Sequence, residues 1–314
     1  MTHSDYFSCF SWAGPIVLVF ACSIALAASC PSYLPGKKVG AISARFIDEA
    51  SGIVASRKNS GVFWVHNDSG DAARVYALSR EGKLLGTYQL DKVVAIDFED
   101  IAIGPGPVKG QDYLYIADTG NNPGFINRNF IVYRVAEPKV NLNQTSKTIH
   151  LKQWDRIIMN FPDRRRYDSE TLLIDPNSAD IYLCTKDRWG DDNSRMRVYR
   201  NPAPHQVDVP TTLTHVVDVQ LQEKEMAVGG DFAPDSKAII IRTHPRGKSN
   251  LQRVLLWPHQ AGDPLDKTFR GPPCVLPFIR EQQGEAICFD SKGLGYYTLS
   301  EGDRQPIYFF PKAT

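Results

Sequence analysis

A short pattern returns five times along this chain and restricts it to one kind of architecture. Each copy opens on an acidic or small polar residue, continues as an apolar run, turns, and ends in a second β-rich run followed by Asp, Asn or Ser. The copies begin at Ser51-Gly52-Ile53, Glu99-Asp100-Ile101, Glu170-Thr171-Leu172, Asp231-Phe232-Ala233 and Glu285-Ala286-Ile287. A unit of strands repeated every ~50 residues leaves a hydrophobic face uncovered when alone, so its copies stack around an axis as a propeller.

The runs between the turns have the composition of strands. Val62-Phe63-Trp64-Val65-His66, Tyr113-Leu114-Tyr115-Ile116, Ala238-Ile239-Ile240-Ile241 and Gly295-Tyr296-Tyr297-Thr298 are rich in β-branched and aromatic residues. Asn59-Ser60-Gly61, Asp175-Pro176-Asn177 and Asp290-Ser291-Lys292-Gly293 supply the turn chemistry. The last copy runs out of chain with three strands, while Val39 to Ile47 is a β-type run ahead of the first copy. The expectation is an all-β, five-bladed β-propeller in which that N-terminal run completes the last blade and removes an exposed sheet edge. Six blades is the alternative, because Val140 to Tyr167 is long enough to hold extra strands. No amphipathic helix of several turns is expected.

Pro15 to Ala28 is almost wholly apolar and small residues follow, the pattern of an export signal. The run is shorter than the ~20 apolar residues of a membrane span. Ala25-Leu26-Ala27 offers a cleavage site, and Leu26-Ala27-Ala28-Ser29-Cys30 resembles a bacterial lipobox with Cys30 as a lipid anchor. Met1 to Trp12 carries no Lys or Arg, unlike the leaders of either kind. The organisation expected is a signal peptide over 1–29, a linker over 30–38 and a single propeller over 39–314, exported to the periplasm or beyond. Lys and Arg number 36 against 35 Asp and Glu, so no whole-chain charge favours nucleic acid or an anionic membrane. The one basic cluster, Arg164-Arg165-Arg166, is flanked by Asp163 and Asp168 and fits a solvated loop. The six cysteines form no C-x-x-C pair, which argues against a zinc or redox motif. Cys274 and Cys288 fall near the join of the fourth and fifth copies and could form a disulfide, although burial is the favoured reading of Cys288. Cys184 and Cys288 also lie in apolar strand patterns, which suits plain burial.

In a propeller the inner strands line a central funnel. The repeat places Ser51, Glu99, Glu170, Asp231 and Glu285 at one equivalent position around it. Four carboxylates in a ring repel one another unless a cation, protons or basic neighbours compensate. Glu99, Glu170, Asp231 and Glu285 are therefore the expected metal ligands, and hard oxygen donors suit Ca²⁺. The ends of the second strands add Asn67, Asp68, Asp118, Asn121, Lys186, Arg242, His244 and Glu301, which with Ser51 are the expected ligand-binding set. Glu170, Glu285 and His244 are the candidates for acid–base work. The alternative is that the acids tie neighbouring blades together through backbone N–H groups. His66 follows a strand and suits packing. No G-x-S-x-G, H-E-x-x-H or P-loop motif is present, and Asp191-Asp192-Asn193 lacks the frame of a calcium loop.

The strings His66-Asn67-Asp68-Ser69-Gly70, Asp97-Phe98-Glu99-Asp100-Ile101-Ala102, Gly229-Gly230-Asp231, Gln283-Gly284-Glu285-Ala286 and Leu299-Ser300-Glu301-Gly302 resemble a family of exported bacterial β-propellers of unassigned activity. More distantly the chain resembles the NHL, gluconolactonase-like and phytase-like propellers. That resemblance implies calcium in the central funnel, held by acids at the starts of inner strands. Three functions are expected to compete. The first is a module binding a metal or small polar ligand. The second is a metal-dependent hydrolase of lactones, esters or phosphoesters. The third is a scaffold for a protein partner.

Overall fold

The computed structural model describes Met1 and residues 30–121, 130–186, 194–245 and 252–313. Residues 2–29 of the expected 1–29 signal, and Asp191-Asp192-Asn193, lie outside the described residues. β1 (Lys37–Ala41) precedes the first blade, which runs outward from the axis as β2 (Ala50–Ala55), β3 (Val62–Asn67), β4 (Arg74–Ser79) and β5 (Leu84–Leu90). The second blade holds β6 (Phe98–Pro105), β7 (Asp112–Asp118) and β8 (Phe130–Ala136). β9 (Thr148–Leu151) then pairs in parallel with β5, and β10 (Asp155–Asn160) adds to β8. The third blade is β11 (Thr171–Ile174), β12 (Ile181–Cys184), β13 (Arg195–Asn201) and β15 (Thr214–Gln220). Between its last two strands, β14 (Thr211–Thr212) pairs with β10. The fourth is β16 (Glu225–Phe232), β17 (Ala238–Pro245), β18 (Arg253–Pro258) and, after the short helix α1 (Leu265–Arg270), β19 (Cys274–Leu276). The fifth is β20 (Gly284–Phe289), β21 (Gly295–Ser300) and β22 (Pro306–Pro311), completed by β1.

The described residues thus form five sheets, as the repeat implies. Residues 140–167 do hold further strands, but β9 and β10 widen the first and second blades and make no sixth. β1 pairs antiparallel with β22, from Lys37 opposite Phe309 to Ala41 opposite Pro306. The closing strand therefore ends earlier than the expected Val39 to Ile47. Ile42 and Ile47 instead turn inward and are buried between the fifth and first blades. Residues 30–38, expected as a linker, are fastened along their length. Tyr33 bridges Lys312, and Leu34 N–H donates to Pro311 O at 2.8 Å.

The core lies between blades. Five apolar clusters each join neighbouring sheets, for example Trp64 and Tyr88 with Ile101 and Leu114, or Phe63 and Val65 with Tyr297 and Leu299. Strands covered on both faces lose the in–out alternation of a half-exposed sheet. This is why β2, β3, β20 and β21 are buried at every position.

The disulfide joins Cys30 to Cys274, which corrects the Cys274–Cys288 pairing. Cys288 lies in the inner strand β20 and Cys274 in the outer strand β19 of the neighbouring blade, so nearness in sequence became separation across the width of a sheet. Cys184 and Cys288 are buried and unbonded. The expected lipid anchor at Cys30 is corrected too, because its sulfur is already used in the disulfide.

The bridge closes a span of 244 residues. Cross-links of long loops stabilise by about 2–5 kcal/mol, in large part by constraining the unfolded chain. Cys30→Ser is expected to lower the denaturation midpoint by that order while leaving the circular-dichroism spectrum of the folded state unchanged. An unaltered midpoint would show that the staple contributes nothing.

Candidate functional site

Four of the five inner strands lose register near their start. The breaks fall between Ala50 and Gly52, Phe98 and Asp100, Ala227 and Gly229, and Gly284 and Ile287. A bulge leaves a residue out of the ladder and re-aims its side chain. The residues so placed are Ser51, Glu99, Val228 and Glu285, while Glu170 immediately precedes β11. Ser51 Oγ donates to Glu99 O at 2.6 Å and lies 3.4 Å from Glu285 Oε2, so the first, second and fifth blades meet there.

Val228, and not Asp231, therefore holds the fourth blade's place. Asp231 sits three residues further along β16. Its Oδ1 accepts the Phe232 N–H at 2.9 Å and its Oδ2 accepts the Phe289 N–H of the next blade at 2.8 Å. Asp100 is used in the same way, accepting from Ile101 at 2.8 Å and Leu172 at 2.9 Å. These two acids are the inter-blade ties that formed the alternative reading of the acidic repeat. Burial pushes Asp231 up to about 7, and raises Asp100 as well, against the N–H donors that oppose it. Asp231 is thus withdrawn from the metal set.

At the mouth of the funnel seven carboxylates form three overlapping trios, each with oxygens within 4.8 Å of one another. They are Asp68, Asp97 and Glu99; Asp68, Glu285 and Glu301; and Glu99, Asp168 and Glu170. Asp68 and Glu99 are each shared between two trios. The third trio has a cation of its own, because the Lys186 ammonium is paired with Glu170 and both side chains are buried. Burial disfavours charge on Lys186, but Glu170, Glu285, Glu99 and Asp168 outweigh it and raise its proton affinity. Burial, with like charge from Glu170 and Asp68, holds Glu99 well above the carboxylate range. Glu170 is raised by burial although Lys186 pulls it down. Asp68 is pushed up to about 7 by burial and then by Glu285 and Asp97. Glu301 rises to about 9 through burial, Glu285 and Asp68.

Gly120 completes the first trio. A Cβ there would run into Glu99 Oε1 and Asp97 Oδ2, so only glycine lets the backbone pass this close. Asp97, Asp168 and Gly120 were absent from the sequence-based set. The missed signal was a second acid two residues before the ring acid, in Asp97-Phe98-Glu99 and Asp168-Ser169-Glu170.

Several expected ligand-binding residues are committed elsewhere. Asn67 Nδ2 donates to Phe46 O at 2.8 Å. Asp118 accepts the Asp97 N–H at 2.8 Å and so shapes the loop that carries that acid. Asn121 N–H donates to Asp168 Oδ1 at 3.0 Å and its Nδ2 to Arg166 O at 2.9 Å. Arg242 donates to Ala286 O, Leu299 O and Glu281 Oε2 at 2.6–3.0 Å, tying the fourth blade to the fifth. The two cations of the expected ligand-binding set are thus paired, Arg242 with Glu281 and Lys186 with Glu170. His66 is wholly buried against Phe98, with Nδ1 to Asn67 O at 2.8 Å, as its packing role requires. His244 Nδ1 lies 3.0 Å from Pro245 O. A carbonyl only accepts, so Nδ1 carries the proton and Nε2 is left as a bare acceptor.

No family model matches the chain, and no curated protein matches it. No sequence match thus supports the exported bacterial family. Among solved structures the chain is similar to the β-propeller domain of Myceliophteria thermophila Cps50 (Swd1), at 10% identity and a TM-score of 0.46, over 89% of this chain and 100% of that one. A likeness that distant carries no argument about function.

Asp68 and Glu301 bind protons more tightly folded than unfolded. The stability they contribute is complete below the unfolded carboxylate range of ~4. It is lost as pH rises through about 7 for Asp68 and about 9 for Glu301. In chelator, the melting temperature is expected to fall across that interval. A flat or rising profile there would contradict the crowding of the carboxylates.

Proposed function

We propose that this protein binds a divalent cation, with Ca²⁺ the best match, through Asp68, Asp97 and Glu99 at the mouth of its funnel. The supporting observation is the spacing of these oxygens, all within 4.8 Å of one another. Two oxygens that share a calcium at about 2.3–2.6 Å can lie no further apart than roughly twice that distance. The trio is an all-oxygen, acid-only set, which suits a hard cation. Asp97 and Glu99 are buried and Asp68 is half-exposed, giving a route in from solvent. In the neighbouring trio the Lys186 ammonium is bonded to Glu170. Bound calcium would displace the protons that these carboxylates hold without it, and its remaining coordination positions would be open to water or a small polar ligand. The Cys30–Cys274 bridge favours an oxidising compartment, in keeping with the apolar N-terminal run.

A ligand that binds only the folded state stabilises it by RT ln(1 + [L]/Kd), about 2.7 kcal/mol at a hundredfold excess over Kd. Millimolar calcium is expected to raise the melting temperature relative to chelator, and more at pH 8 than at pH 6. Asp68→Asn and Glu99→Gln are expected to remove the response. Asp231→Asn should keep it, since that carboxylate is occupied by backbone donors. Identical melts of the wild-type protein with metal and with chelator reject the proposal.

One observation favours a second reading, metal-assisted hydrolysis. Among the described residues nothing bonds His244 Nε2, and burial lowers its proton affinity while Glu285 opposes that effect. A neutral imidazole on the Glu285 side of the funnel could accept a proton from an attacking water. A panel of lactones, aryl esters and phosphoesters tests this. Any turnover found should fall by about 10²–10⁴-fold in His244→Ala, and turnover that survives the change would exclude His244 as the base.

A further inference from the structure

Asn143-Gln144-Thr145 is an Asn-x-Thr acceptor triplet, and Asn67-Asp68-Ser69 has the Asn-x-Ser form. The fold treats the two oppositely. Asn67 is buried, and its amide nitrogen donates to Phe46 O at 2.8 Å and Asp71 Oδ2 at 3.3 Å, beside the funnel carboxylates. Asn143 is exposed, in the connection from β8 to β9. That connection is held at the rim by its neighbours. Gln144 N–H donates to Asn141 O at 3.0 Å and closes a turn. Gln144 Nε2 reaches inward to Leu85 O at 2.7 Å, and Lys147 O accepts the Thr87 N–H at 2.9 Å. The turn is thus fastened to the outer edge of the first blade through Gln144 and Lys147, and Asn143 and Thr145 are left facing solvent. Among the described residues no hydrogen bond uses the Asn143 side-chain amide; only its backbone N–H is engaged, with Asn141 Oδ1 at 2.9 Å.

We infer that Asn143 is the acceptor of an N-linked glycan. The disulfide and the apolar N-terminal run point to the oxidising export route on which such transfer takes place. The co-reactant is a lipid-pyrophosphate-linked oligosaccharide. A bond forms between Asn143 Nδ2 and the anomeric carbon, the bond from that carbon to the pyrophosphate oxygen breaks, the lipid pyrophosphate leaves with the electron pair, and the amide loses one proton. The product extends from the outer rim of the first blade. It therefore leaves the funnel mouth open, which a glycan on Asn67 would not.

The test is translation of the full chain with endoplasmic-reticulum microsomes, followed by digestion with a glycosidase that removes N-linked chains. A parallel chain carries a proven leader in place of residues 2–29, which separates export from acceptor competence. A single glycosidase-sensitive band shift is expected in at least one of the two. It should vanish in Asn143→Gln and in Thr145→Ala, and persist in Asn67→Gln. An unshifted band in both chains, or a shift that survives Asn143→Gln, overturns the inference.

Discussion

The pairing of β1 with β22 is the contact on which the rest of the molecule depends. Without it the fifth blade has an open edge, and the apolar layer that joins Phe63, Val65 and Tyr297 loses Ile42 and Ile47. The ladder itself is short and its strand is exposed or half-exposed along its length. Joining the two ends of a chain costs entropy that grows only slowly with length, so a modest ladder suffices once other contacts share the load. They do so on both sides. The buried layer between the fifth and first blades lies inside the ladder, and the Cys30–Cys274 bridge and the Tyr33–Lys312 pair lie at the perimeter.

Closure has an electrostatic consequence, because every inner strand then brings its polar residues to one axis. The chain resolves the crowding differently at two depths. Further down, Asp100 and Asp231 are surrounded by the N–H groups of the neighbouring blade, and the acids serve as pins. At the mouth the strands are bulged, and seven carboxylates crowd together with the Lys186 ammonium bonded to Glu170. Crowded, buried carboxylates favour protons or a cation. This distinction separates a structural acid from a ligand here, and residue type alone does not make it.

The fold was legible from the repeat because five strand units, begun 48 to 71 residues apart, admit few arrangements, and the missing strand of the last unit pointed to the N-terminal run. The site was legible in part. Glu99, Glu170 and Glu285, singled out by the acidic start of each copy, do lie in the carboxylate cluster. Asp231 misled for the same reason. Its acid–apolar string matches the others, but the bulge that sets the level of the ring falls at Val228, and a bulge leaves no mark in composition. The Cys30–Cys274 bridge was hidden because it depends on which strands lie at the rim. Asn67, Asp118 and Asn121 had the chemistry of ligands, but side chains of this kind also bond to nearby backbone, and here that local use wins.

The divergence among the five copies carries more of the functional argument than their similarity. A symmetric propeller would put equivalent donors from every blade around an ion on the axis. Here the fourth blade contributes Val228 to the ring and spends Arg242 on the fifth blade's backbone, while the third supplies Lys186. Acidic side chains therefore gather toward the first and second blades, where Asp68, Asp97 and Glu99 meet against Gly120. Under the proposed reading, an ion held by two adjacent blades would sit off the axis, because the asymmetry of the five copies gathers its carboxylates on one side of the funnel.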